Sequence, residues 1–408
     1  MKCRHCKNKL NYTFLDLGKA PASNAYLEKE ELSKPELYFP LKVKVCEECW
    51  LVQTEDYANA DKLFDSKYAY FSSISKSFLN HAKEYSNKMI SKFNLNSSSY
   101  VIEVASNDGY LLKNFVKNKI PCLGIEPTDS TAVEAEKQNI PVIRKFFGLK
   151  LAKDLARNNQ KADLIIGNNV YAHVPDINDF TFGMKEALKE NGVITLEFPE
   201  LLNTIKGGQF DQIYHEHFSY LSLTAVMNIF SKCGLRVWDV EKLPTHGGSL
   251  RVYGCHVNSN FHKTSLRVKK HLQNEKEFGL LNIETYLNFQ SKANDIKNKF
   301  YSFLLEQKNN GKRVIAYGAA AKGNTLLNYC KVNTDLIEFV CDGAPSKQGM
   351  FLPGSHIPIY HPSVLKNSFF DYVVIFPWNI KSEIINEIAF LKDHGTKFVI
   401  AVPELEII

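Results

Sequence analysis

No stretch of this 408-residue chain approaches the ~18–20 consecutive apolar residues that a membrane-spanning helix needs. The opening MKCRHC has no apolar core, so no secretory signal is expected and the chain reads as cytoplasmic. A dense basic block is missing as well. The 50 Lys and Arg against 44 Asp and Glu leave a formal charge of +6, and the lysines are dispersed. That distribution suits a solvated surface and an anionic small molecule, and speaks against a nucleic-acid partner. There is no convincing short repeat and no disordered tract, since 44% hydrophobic and 23% charged residues are ordinary globular values. The GxGxxG turn of dinucleotide-binding proteins is absent too.

What is present divides into three parts. The length exceeds one compact domain, so two or three cores are expected. Residues 1–60 hold two CxxC pairs, Cys3/Cys6 and Cys46/Cys49. Two such knuckles complete a tetrahedral thiolate shell with no open position, the pattern of structural zinc. His5 inside the first knuckle is an alternative ligand. The other five cysteines lie in apolar or strand-like contexts and read as packing residues.

Residues 61–258 begin with a helical stretch near 62–95 and continue as short apolar runs alternating with helical patterns. Strands are expected at Tyr100–Ala105, Cys122–Glu126, Val142–Phe147, Asp163–Gly167 and Val193–Phe198. A hairpin-like pair, Leu235–Val240 and Leu250–Val257, brings the count to seven. Residues 259–408 open with one or two charged helices to about 309. A second alternating series follows at Arg313–Tyr317, Leu336–Cys341, Tyr372–Phe376 and Phe398–Val402. The fold class is therefore α/β, with two parallel, doubly wound units behind a small cysteine-rich one.

The first unit carries a cofactor signal. The run VIEVASNDGY (101–110) is a strand, a small polar turn and a helix start, the arrangement that aims backbone N–H groups at an anion. Glu103, Ala105, Asn107 and Gly109 belong to it. Glu126 ends the next strand about twenty residues on, where a carboxylate accepts from ribose hydroxyls. One glycine leaves little room for a pyrophosphate, which favours S-adenosylmethionine over a dinucleotide. Asn168 and Asn169 end the fourth strand and face the same crevice. QIYHEH (212–217) then packs a phenol, two imidazoles and a carboxylate together, with His173 nearby, which suggests proton transfer. As a strand, the segment would put Tyr214 and Glu216 on one side and the histidines on the other, which admits a metal reading. As a turn, all would converge.

Taken together, these motifs resemble the nucleotide-sugar C-methyltransferases, which methylate 4-keto-6-deoxy sugars at C-3. The resemblance spans nearly the whole chain: CxLVQ at 49–53, YAYFSSIS at 68–75, IEVASNDGYLL at 102–112, GIEPT at 124–128, NNVYAHVPD at 168–176, YHEH at 214–217, HGGSLRVY at 246–253 and AYGAAAKGNTLLN at 316–328. It implies an N-terminal zinc-binding domain, a central Rossmann-like methyltransferase domain and a C-terminal Rossmann-like domain that helps hold the nucleotide sugar. It further implies His217 as catalytic base, accompanied by Tyr214, Glu216 and His173. Substrate contacts are expected from Tyr68 or Tyr70, His246, Lys322, Asn324 and Lys347. The sugar carrier is deoxythymidine or guanosine diphosphate, and a monomer fits the sequence. An O- or N-methyltransferase on a related nucleotide sugar, or a non-catalytic nucleotide-sugar-binding protein, are the competing readings.

Overall fold

The computed structural model describes residues 1–55, 73 and 76–408. Tyr68 and Tyr70 lie outside the described residues, as does the start of the expected 62–95 helix, whose described part runs Lys76–Phe93. No helix among the described residues is long and apolar enough to cross a membrane.

Three sheets organise the chain. The first has the order β1 (Tyr12–Ala20), β2 (Phe39–Val45), β3 (Val52–Thr54) and β9 (Ser219–Tyr220). Its first three strands are antiparallel and precede or follow the cysteine knuckles. These strands had no counterpart in the sequence reading, because their alternation is broken by register shifts between Thr13 and Leu15 and between Asp16 and Lys19. The last strand is borrowed from far along the chain: Val52 pairs with Tyr220 and Gln53 with Ser219. That pairing fastens the segment just before it, residues 214–217, to the cysteine-rich unit.

The central sheet has seven strands in the order β10 (Leu235–Leu243), β11 (Ser249–His256), β8 (Leu188–Pro199), β7 (Ala162–Asn168), β4 (Val101–Val104), β5 (Cys122–Ile125) and β6 (Val142–Ile143). β4 to β8 run parallel and β11 and β10 are antiparallel additions. All four residues of β4 and of β5 are buried, as expected of strands covered on both faces. β6 stops at Ile143, four residues earlier than its apolar run suggested. The chain order reverses across β4, so the crevice beyond its carboxyl end lies at a topological switch point.

The third sheet follows the order β14 (Ile359–Tyr360), β13 (Val340–Cys341), β12 (Val314–Tyr317), β15 (Tyr372–Ile375), β16 (Lys397–Ile400) and β17 (Glu406–Ile407). It is parallel up to β16, and β17 closes the edge antiparallel. Its own switch point lies at β12. The connection before it contains three helices, Leu266–Phe278, Ile283–Leu287 and Phe289–Asn309, against the one or two expected. Gly279, in a left-handed conformation, ends the first. The longest buries Phe289, Ala293, Ile296, Phe300 and Leu304, a three-to-four residue stripe. Phe289 stacks on Phe14 of β1 with ring centroids 4.6 Å apart, so one apolar core spans the first and third sheets. A fully buried phenylalanine is worth roughly 1.5–3 kcal/mol, and several here join sheets that the sequence separates by 300 residues.

Candidate active site

The four knuckle thiols come together. Cys3 Sγ lies 3.5 Å from Cys49 Sγ and Cys6 Sγ 3.4 Å from Cys46 Sγ. All four sulfurs fall within 4.8 Å of one another. A tetrahedral ion with ~2.3 Å Zn–S bonds needs sulfurs ~3.8 Å apart, so the donor set fits Zn2+. His5 is not needed: its Nδ1 is 2.7 Å from Asn178 Oδ1. Gln53 Nε2 donates to Cys3 Sγ at 3.3 Å, an outer contact that supports thiolate charge.

At the carboxyl end of β4, the chain turns through left-handed residues Ala105, Asn107 and Gly109, with φ of 57°, 50° and 77°. Gly109 is required twice over. A Cβ there would meet Ile140 Cδ1 at 2.4 Å, and its φ favours glycine. Glu126 Oε2 accepts from Asn107 N and Oε1 from Thr128 N, both at 2.9 Å, which fixes the carboxylate. Burial pushes the Glu126 carboxyl upward. Glu103 is driven well above the usual range by burial and the fields of Asp108 and Glu126. Buried and without hydrogen-bond partners among the described residues are Glu103 Oε2, Ser106 Oγ, Asn168 Oδ1 and both amide atoms of Asn169. Unsatisfied buried polar atoms at the mouth of a parallel sheet mark a site that takes a polar ligand. The adenosyl and amino-acid groups of S-adenosylmethionine suit this donor set.

Past β7, the 3-10 turn Tyr171–His173 brings His173 towards the 214–217 segment. That segment is a tight turn, closed by His217 N donating to Tyr214 O at 3.0 Å. The strand alternative, and with it the metal reading, is overturned. His215 Nε2 instead contacts Phe39 O of β2 at 3.3 Å, and no metal-ligand group among the described residues includes the segment. The His217 ring lies 4.0 Å from the Tyr214 ring and 4.6 Å from that of His173, centroid to centroid. Its Nδ1 donates to Gln212 O at 2.9 Å, which commits the proton to Nδ1 and leaves the lone pair on Nε2. Burial, then the neighbouring His173, hold the His217 imidazole well below its usual range, so it is neutral at pH 7. His173, whose Nδ1 meets Glu216 O at 2.8 Å, is brought to about 4 by burial.

Asn24 Nδ2 donates to Glu216 Oε1 at 3.1 Å, and burial pushes the Glu216 pKa up. Lys322 starts the helix Ala321–Cys330 after β12. Its Nζ donates to Asn379 Oδ1 at 2.7 Å and lies 4.4 Å over the Trp378 ring. Burial lowers it to about 8, and its charge acts on both His217 and His246. In the same turn Ala319 N donates to Asp342 Oδ2 at 2.7 Å and Lys347 Nζ to Ala319 O at 2.7 Å. Asn324 is buried and donates to Ser23 O at 2.6 Å, a tie between units.

His246 sits in a strained turn, with φ of 53°, 83° and 116° at His246, Gly247 and Gly248. What holds the turn was not anticipated. Thr245 Oγ1 donates to Glu197 Oε1 at 3.1 Å, and Glu197 also binds Arg251 Nη2 at 2.9 Å and His81 Nε2 at 2.9 Å. Arg251 faces Glu197 and Glu241 across adjacent strands. Charged residues inside otherwise apolar strands were the available signal.

The chain is also similar to known proteins. Residues 244–403 match the model for a C-methyltransferase C-terminal domain, 3–64 a zinc binding domain and 78–240 a methyltransferase domain. The C-methyltransferase NovU of Streptomyces niveus is 31% identical over 408 residues, covering 100% of this chain and 96% of that protein. Among solved structures, magnesium protoporphyrin IX methyltransferase of Synechocystis, with bound S-adenosylmethionine, is 12% identical with a TM-score of 0.34, over 44% of this chain and 79% of that one. The CcbJ methyltransferase of Streptomyces caelestis is 12% identical with a TM-score of 0.34, over 43% and 89%.

Proposed function

This chain belongs to the C-methyltransferase family, and from that premise we propose that its acceptor is C-3 of a 4-keto-6-deoxy sugar carried on deoxythymidine or guanosine diphosphate. It is an S-adenosylmethionine-dependent methyltransferase with a structural zinc unit. The observation that carries the acceptor reading is His217: a buried, neutral imidazole with its proton held on Nδ1 and its Nε2 lone pair available. A hydrogen next to a ketone is acidic enough for such a base, whereas an oxygen or nitrogen acceptor needs no carbon deprotonation.

In this reading His217 Nε2 takes the C-3 proton. Burial weakens the imidazole, and the negative charge that develops on the sugar beside it raises its proton affinity as transfer proceeds. Tyr214 and His173 flank His217; the Tyr214 hydroxyl offers a donor to the developing enolate oxygen, while His173, its Nδ1 proton held by Glu216 O, packs beside the base. Bound S-adenosylmethionine supplies the electrophilic methyl group. Its holders are the Ala105–Gly109 turn, Glu126, Asn168 and Asn169. Lys322 offsets the diphosphate charge, Glu216 Oε2 accepts a sugar hydroxyl, and His246 lines the pocket between them.

The test is proton exchange at C-3 in deuterium oxide, without methyl donor, across a panel of dTDP- and GDP-linked 4-keto-6-deoxy sugars. Washout at C-3 followed by labelled methyl incorporation there is the expected result. Methyl transfer to oxygen or nitrogen with no exchange refutes the carbon-acid reading.

A further inference from the structure

The segment that leaves β1 does more than connect the zinc unit to the next strand. Over residues 23–27 it makes contacts in both directions. Ser23 O accepts from Asn324 Nδ2 at 2.6 Å. Tyr26 OH donates to Ala319 O at 2.6 Å. Leu27 exchanges backbone hydrogen bonds with Phe351, at 3.0 and 2.8 Å. Three attachments thus tie it to the C-terminal unit. Between them, Asn24 Nδ2 reaches back and donates to Glu216 Oε1. Two turns brace it locally, Ala25 N to Ala22 O and Tyr26 N to Asn24 O.

This matters because of how Glu216 is left. The residue is 1% exposed, and Oε2 is buried with no hydrogen-bond partner among the described residues. A carboxylate with one oxygen pinned and the other unpaired is directional: it presents one acceptor, in one orientation, to whatever donor enters. Sequence places the pinning group 192 residues away and in the zinc unit, so no local pattern around YHEH could supply it. We infer that Asn24 is a positioning residue for the sugar subsite, holding Glu216 so that Oε2 meets a sugar hydroxyl, and that the zinc unit thereby contributes to acceptor binding.

The inference rests on the acceptor reading above. The experiment measures methyl transfer to a dTDP-linked 4-keto-6-deoxyhexose by the full chain, with sugar KM, kcat and S-adenosylmethionine affinity recorded for each variant. Asn24→Ala is expected to raise the sugar KM about tenfold or more, the size of a lost hydrogen bond to a charged group. Its kcat should change less, and methyl-donor affinity by calorimetry should not change. Asn24→Asp keeps the shape but removes the N–H donor, so it should do at least as much damage. In a Glu216→Gln background, Asn24→Ala should add little, because the two act through one interaction. A sugar KM within twofold of wild type in both Asn24 variants overturns the inference while leaving the acceptor reading intact. So does an equal loss of methyl-donor affinity, or full additivity with Glu216→Gln. A wild-type enzyme that transfers no methyl to this probe or to any other member of the dTDP- and GDP-linked panel overturns the acceptor reading and this inference together.

Discussion

Replacing His217 by asparagine separates its chemical task from its structural one. The imidazole has two bonds to the turn: its backbone N–H closes on Tyr214 O, and Nδ1 donates to Gln212 O at 2.9 Å. Asparagine preserves the first and offers Nδ2–H2 for the second, so the buried Gln212 carbonyl stays paired. Alanine would orphan that carbonyl, a penalty of about 1–3 kcal/mol, and open a void beside the Tyr214 and His173 rings. The Asn variant should therefore melt within about 1 kcal/mol of wild type, while the Ala variant loses more. Neither substitution touches the Ala105–Gly109 turn, so methyl-donor affinity should hold. What disappears is the Nε2 lone pair. A positioned general base contributes typically ~10²–10⁴ in rate, so kcat for His217→Asn should fall by that factor, which corresponds to ~3–5 kcal/mol of barrier. Exchange of the sugar C-3 proton without methyl donor should fall in parallel, because both need the same abstraction. The assay is labelled methyl incorporation alongside deuterium uptake, with urea melts as the folding control. A folded His217→Asn enzyme that keeps wild-type exchange would show that another group removes the proton, and the base assignment would be wrong.

Three further outcomes follow from the site. Arg251→Met strips a partner from Glu197, which is fully buried, and should cost about 3–5 kcal/mol in urea unfolding; a loss under 1 kcal/mol would mean that His81 alone suffices. Against burial, which pushes it up, the His81 hydrogen bond and the Arg251 charge bring Glu197 down to about 2, so its contribution is full above pH 4.5 and lost as pH falls towards 2. Acid unfolding curves of wild type and Arg251→Met should then converge in that range, and parallel curves would contradict it. Lys322, lowered to about 8 by burial, carries its charge below that pH and loses it above. The sugar KM should accordingly rise through pH 8, and Lys322→Met should have a raised, pH-flat KM; a wild-type KM indifferent to pH would remove Lys322 from diphosphate binding. Cys49→Ser should lower bound zinc measured by elemental analysis and reduce Tm, and a zinc-replete variant of unchanged Tm would refute the four-thiolate shell.

The sequence alone carried the elements whose signal is local. Two CxxC spacings determined the thiolate cluster, because a knuckle is built within four residues. Apolar runs in alternation with helical periods gave the seven strands of the central sheet, since each buried strand states its own pattern. Gly109, the one glycine of the 105–110 turn, favoured S-adenosylmethionine over a dinucleotide, whereas the Ile140 contact that excludes a side chain there is visible only in the fold. Where pattern was interrupted or short the reading failed: the β1–β2 pairing is broken by register shifts, β3 has three residues, and β14 and β17 have two each. The chemistry of the 214–217 segment was ambiguous for a deeper reason. Tyr-His-Glu-His can alternate as a strand or converge as a turn, and the choice depends on Gln212 O, on Phe39 O and on β9 pairing with β3, none of which is encoded within the segment. Tertiary structure alone decided that His215 meets Phe39 of the zinc unit while His217 packs between Tyr214 and His173, that Asn24 meets Glu216, and that Glu197, Arg251 and His81 share one buried charge network. The hydrogen bonds among these contacts join residues 54 to 192 positions apart, and what sets them is burial: once desolvated, each charge or dipole must find its complement wherever the packed chain brings one within reach.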